Sequence, residues 1–106
     1  MAFNIDKKNS VAGDLCSVII DEDMTIYAIE SLKQAFTKMF DGYHCFELNL
    51  SDVEEIDSSG IQLLLALKSE LALRHKTFVL TAISNDVEKL LDAYGIKNSF
   101  VIGEAA

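Results

Sequence analysis

The chain contains no proline, no low-complexity stretch and no internal repeat, so nothing in its 106 residues reads as a linker. One domain with a single hydrophobic core is expected. Cysteine is scarce: Cys16 and Cys45 lie 29 residues apart, with no Cys-x-x-Cys pair and no nearby histidine cluster. That spacing indicates neither a zinc site nor a disulfide framework and leaves both as small core residues. No apolar run approaches the ~18 residues of a membrane span, and no basic-then-apolar leader opens the sequence, so a cytoplasmic protein is expected. Positive charge is short as well. Nine basic residues against seventeen acidic ones leave a net charge of −8, which repels nucleic-acid phosphates and anionic lipid head groups alike. Nucleic acid and membrane are set aside as partners. Half of the residues are apolar and a quarter charged, the balance of a chain that folds by itself.

What is present is an alternation of strand and helix signals. Leu15 to Ile20 is short, rich in β-branched residues and bounded by Gly13-Asp14 and Asp21-Glu22-Asp23, and it reads as a strand. The weaker alternation from Ala2 to Asp6, followed by the turn residues Asn9, Ser10 and Gly13, makes a β-hairpin with it. Apolar residues at Ile29, Leu32, Ala35, Phe36, Met39 and Phe40 predict a helix over 25–40, stopped by Asp41-Gly42. Cys45 to Leu50 alternates strictly, with Phe46, Leu48 and Leu50 on one face and Glu47 and Asn49 on the other. A second helix is predicted over 58–74, a strand over 77–81, a third helix over 85–94 with Gly95 as its stop, and a closing strand over 100–102. The order β-β-α-β-α-β-α-β predicts an α/β domain. Its sheet is mixed and mostly parallel, of about five strands, with helices mainly on one face.

Between the third strand and the second helix, an acidic loop ends in Asp57-Ser58-Ser59-Gly60 and opens directly into Ile61-Gln62-Leu63-Leu64-Leu65. Beyond the carboxyl end of an interior parallel strand is where open α/β sheets place their sites. A helix N-terminus offers unsatisfied N–H groups and the positive end of the macrodipole, which suit a phosphate. Structural explanations compete: Asp57, Ser58 and Ser59 are all good N-cap residues, and Ser59 to Gln62 fits a capping box. Gly60 either opens the turn to a partner's active site or allows close packing against a loop. In the second helix, Ile61, Leu64, Leu65 and Leu71 with Ala72 form an apolar stripe that Leu63, Leu67 and Leu73 broaden. That breadth marks either a deeply buried helix or an exposed leucine surface for a partner.

Catalysis is disfavoured by distance. A serine nucleophile needs a base within hydrogen-bond reach. His75 lies seventeen residues beyond Ser58, roughly 25 Å along a helix, and His44 is displaced by roughly 20 Å along a strand. Gly-x-Ser-x-Gly and glycine-rich phosphate loops are absent. Glu54, Glu55 and Asp57 read as a solvated acidic turn, since nothing nearby completes a coordination set. No metal or cofactor is expected.

The segment Leu48-Asn49-Leu50-Ser51-Asp52-Val53, with Ile56-Asp57-Ser58-Ser59-Gly60-Ile61-Gln62-Leu63-Leu64, resembles the signature of STAS domains, specifically the bacterial anti-sigma factor antagonists. The likeness extends over nearly the whole chain, including Ala82 to Leu91 at the entry to the third helix. The resemblance implies a non-enzymatic partner switch. The unphosphorylated protein would bind an anti-sigma factor, typically a GHKL-type serine kinase, which phosphorylates Ser58; a PP2C-type phosphatase restores the binding form. Asp57, Ser59 and Gly60 would shape the turn, and Thr25, Ile61, Gln62, Leu63 and Leu67 would adjoin the docking surface of a monomer or weak dimer. The segment Asp21 to Tyr27 departs from the Gly-Glu-Leu-Asp-like turn of many antagonists and resembles STAS proteins of chemotaxis or two-component clusters. The alternatives are therefore a scaffold subunit of a chemosensory, two-component or transporter-ATPase complex, or a nucleotide- or small-molecule-binding STAS domain.

Overall fold

The alternating and β-branched segments form strands, and the segments of 3.6-residue period form helices. A computed structural model describes residues 3–5, 11 and 13–103. The elements are β1 (Phe3–Ile5), β2 (Leu15–Ile20), α1 (Ile26–Thr37), β3 (Cys45–Leu50), α2 (Ser58–Leu73), β4 (Thr77–Ile83), α3 (Asn85–Ala93), a 3-10 turn (Lys97–Ser99) and β5 (Val101–Ile102). Ala2, Asp6, Asn9 and Ser10 of the expected hairpin lie outside the described residues.

The sheet order is β1-β2-β3-β4-β5, with β1 antiparallel to β2 and the other four strands parallel. Sequential strands joined by right-handed crossovers place every connecting helix on the same face. One core results. Cys16, Val18 and Ile20 of β2, Phe46, Leu48 and Leu50 of β3, and Leu80 of β4 meet Leu32 and Phe36 of α1, Leu64 and Leu71 of α2, and Val87 and Leu91 of α3. Each such valine, leucine, isoleucine or phenylalanine contributes about 1.5–3 kcal/mol by leaving water. Burial pushes the Cys16 thiol up, from 9.0 to about 11, and keeps it protonated. On the opposite face the register aligns Ser17, Glu47, Val79 and Val101 in one row, running from buried Ser17 to exposed Val101.

Several boundaries differ from expectation, most by a single residue. α1 stops at Thr37 because the chain tightens into three-residue turns, with Met39 N–H donating to Phe36 C=O (2.9 Å) and Gly42 N–H to Met39 C=O (3.2 Å). This turns Phe40 inward, edge-on to Phe46 at 6.3 Å. β4 runs on to Ile83 because the ladder skips Thr81 between Leu48/Leu80 and Asn49/Ala82; the Thr81 hydroxyl donates to Leu48 C=O (3.1 Å). The last strand begins one residue late, after the 3-10 turn.

α1 and α2 are fastened at their carboxyl ends. Arg74 bonds Glu70 (2.9 Å) and Asp41 (3.0 Å) and stacks 4.9 Å from the Phe40 ring centroid, while Lys76 Nζ donates to Phe40 C=O. α2 ends with His75 in the left-handed region (φ 61°), so that Lys76 N–H reaches Leu71 C=O (2.8 Å) and His75 N–H reaches Ala72 C=O (3.0 Å). The opposite ends of these two helices carry the site.

Candidate functional site

The loop from β3 to α2 is pinned by what its backbone requires. Val53 is buried, and the chain then pairs with the β2–α1 loop through a parallel bridge, Met24 to Ile56. Met24 N–H donates to Glu55 C=O (2.8 Å) and Asp57 N–H to Met24 C=O (3.3 Å). Asp23 Oδ1 accepts from Glu55 N–H at 3.2 Å. Two loops 32 residues apart in sequence thus behave as one surface.

Asp57 is the N-cap of α2, with extended backbone. Its Oδ1 accepts from Ser59 N–H (2.8 Å) and Gly60 N–H (3.3 Å), which are orphan donors of the first turn. Its Oδ2 accepts from Ile26 N–H (3.1 Å), the first residue of α1. Thr25, the N-cap of α1, makes no side-chain cap bond, so one carboxylate serves both helices. The capping box expected from Ser59 to Gln62 does not form, because Ser59 already lies inside the helix. Ser58 is the first residue of α2; it is exposed, and its hydroxyl makes no hydrogen bond among the described residues.

Gly60 is explained by close packing. A Cβ there would sit 2.4 Å from Met24 C=O and 2.6 Å from Ile56 Cγ1. Of the two explanations open in the sequence, contact with the neighbouring loop is the one the geometry requires.

A sequence model of the family described as "Mlab, STAS domain" matches residues 10–103. The chain belongs to the STAS domain family. A curated relative, the anti-sigma-B factor antagonist of Staphylococcus epidermidis, is 22% identical over 103 residues, covering 96% of this chain and 95% of the relative. Among solved structures, the unphosphorylated anti-sigma factor antagonist SpoIIAA superposes with a TM-score of 0.77 at 21% identity, over 97% of this chain and 89% of that one. The phosphorylated form of SpoIIAA, a Bacillus cell fate determinant, gives 0.73 at 17% identity, over 97% and 92%. The expected STAS fold, mixed sheet and helix order are borne out.

Within this STAS domain the residues expected beside the docking surface divide. Ile61, Leu63 and Leu67 are buried, Leu63 and Leu67 lining the groove between α1 and α2. They complete the core because α2 packs against both α1 and β4, which occupies a wider arc than one stripe. Gln62 is exposed and Thr25 half-buried. Ile26 and Tyr27, at the start of α1 beside Asp57, are 66% and 95% exposed. Tyr27 lies about 200° round the helix from the inward-leaning Ile29.

The surroundings are acidic. Asp21, Asp52, Glu54 and Asp86 line an open recess of about 720 Å³ at the strand ends, and no lysine or arginine does. On the α3 side, Lys89 joins Glu54, Glu55 and Asp57 around a second recess. Both histidines lie at the other pole, where Thr77 N–H donates to His44 C=O (3.0 Å) and His75 follows the end of α2. Among the described residues no helix is long and apolar enough to cross a membrane, and no group of His, Cys, Asp or Glu could hold a metal ion.

Proposed function

We propose that this chain is a phosphorylation-controlled anti-sigma factor antagonist, without catalytic activity of its own. It binds an anti-sigma factor with GHKL-type serine kinase activity while Ser58 is free, and releases it once Ser58 is phosphorylated. The observation that carries this is Ser58 itself, an exposed hydroxyl at the head of α2 that no described residue engages, on a turn whose capping is done by Asp57. A serine that caps nothing is free to be a substrate. The antagonist names borne by the Staphylococcus relative and by SpoIIAA, and the solution of SpoIIAA in both phosphorylation states, support the same role.

In the modification, Ser58 Oγ attacks the γ-phosphorus of ATP, ADP leaves, and the hydroxyl proton passes to a base of the kinase. The phosphoserine adds about −1.5 to −2 charge. Asp57 already occupies Ser59 N–H and Gly60 N–H, so those donors cannot neutralise it. The new charge stays at the surface, and a partner covering Ser58 must bury it. Burying an uncompensated charge is costly, so the interface opens while the fold stays. A PP2C-type phosphatase reverses the step by hydrolysis.

The nucleotide-binding alternative is disfavoured by the recess at the strand ends, whose four carboxylates repel a phosphate. The scaffold alternative predicts that the charge of residue 58 is irrelevant. Wild type, Ser58→Ala and Ser58→Glu used as baits in native extract separate the two. Retention of a serine kinase by the alanine variant, its loss from the glutamate variant and phosphate on wild-type Ser58 are expected. Equal retention by all three, with Ser58 unmodified, would sink the switch.

A further inference from the structure

Ile26 and Tyr27 are consecutive large apolar residues at the head of a 12-residue helix, 66% and 95% exposed. Scattered apolar residues at a surface need no explanation, but this pair is held in place. Ile26 N–H is bonded to Asp57 Oδ2 (3.1 Å), and Thr25 C=O accepts from Ala28 N–H (2.9 Å) and Ile29 N–H (3.2 Å). The first turn of α1 is therefore fixed against the turn that carries Ser58. Little ordering remains to be done on contact, which is the condition for an efficient anchor.

The charge around the pair is one-sided. Asp21 and Glu22 precede it, Glu30 follows one turn later, and Glu54 and Glu55 lie on the loop stitched to Met24, all of them exposed. Lys89 lies across the recess lined by Thr25 and Asp57, and Lys33 follows two turns along α1.

We infer that Tyr27, with Ile26, is the apolar anchor through which the partner docks, and that the partner offers an apolar pocket rimmed by arginine or lysine. Asp57 is the positioning residue that sets this anchor beside Ser58. This rests on the partner-switch proposal above and specifies its docking surface. Tyrosine is among the residue types that concentrate binding energy, since it buries a large rigid area with few torsions to freeze. The acidic rim speeds encounter with a basic surface and makes association salt-dependent. A phosphate on Ser58 would lie at the edge of the same patch, where the partner's rim must close.

The test is titration of the purified serine kinase that the wild-type chain retains, at low and high salt. Tyr27→Ala is expected to weaken binding by about tenfold or more, with Tyr27→Phe close to wild type. Leu73→Ala is expected to bind as wild type, because Leu73 is 77% exposed at the far end of α2. Binding should weaken as salt rises. Since the Tyr27 side chain is almost fully exposed, its removal should leave the melting transition in place, so a lost affinity is not lost fold. If Tyr27→Ala binds as wild type while Ser58→Glu does not bind, the anchor is wrong and the switch stands. If Leu73→Ala weakens binding as much as Tyr27→Ala, the anchor is again wrong. If neither wild type nor Ser58→Ala binds any kinase, the partner switch itself fails, and the anchor with it.

Discussion

Gly60 is a residue required for what it lacks. Helix propensity alone makes alanine about 1 kcal/mol better than glycine inside a helix. The Met24 carbonyl, 2.4 Å from where a Cβ would stand, opposes that gain, and it is backbone held by the Asp57 N–H. Overpacking of this kind costs about 1–3 kcal/mol or more, so the clash wins. Gly60→Ala is expected to lower unfolding free energy by about 1–2 kcal/mol in urea denaturation; a stabilised variant would mean that the two loops separate easily. Residue type could not decide between an open turn and a close contact, because the obstructing carbonyl belongs to Met24, 36 positions earlier in the chain.

At the scale of elements, the strands were legible because alternation and β-branching act within one segment. β3 was read to the residue, and β2 likewise. Boundaries failed where hydrogen bonding changes beneath an unchanged apolar pattern. Met39 and Phe40 continue the period of α1, yet the bonds there have shortened to three-residue turns. Thr81 conceals the end of β4 because a skipped residue breaks alternation without ending the strand. Coupling between elements was not legible at all. Asp57 could be seen to be a good cap for α2, but its second oxygen reaches Ile26 N–H, 31 residues away. Asp57→Ala therefore removes acceptors from two helices, and a loss of about 2 kcal/mol is expected, the upper end for a cap. Amide exchange separates this from a simple cap loss. Ile26 N–H should lose protection together with Ser59 and Gly60, while Met24 N–H, bonded to Glu55 C=O, should keep its own. Retained protection at Ile26 would break the link between α1 and the serine turn.

For the whole molecule, the sequence showed the sheet, the order and the acidic balance, but not which apolar residues of α1 and α2 reach the surface. Leu63 and Leu67 were candidates because they lie off the main stripe, and they are buried because α2 is clasped between α1 and β4. Ile26 and Tyr27 entered the sequence reading only as part of the departing segment Asp21 to Tyr27, and the core begins one turn later with Ile29 and Leu32. The same layout determines how a phosphate placed on Ser58 would act. Ser58 contributes no side-chain bond to the fold among the described residues, and the core strands lie beneath a capped turn that Asp57 keeps closed. Adding about two negative charges to a molecule at −8 raises repulsion at the acidic pole, but exposed charges are screened over about 8 Å at physiological salt. The expected result for Ser58-phosphorylated protein is an unchanged pattern of amide protection in β2, β3 and β4, with differences confined to the turn around Asp57 to Gly60 and the first turn of α1. Loss of protection across the central strands would instead make the modification an unfolding signal, and release of the partner would then follow from a lost scaffold rather than from charge buried at an interface.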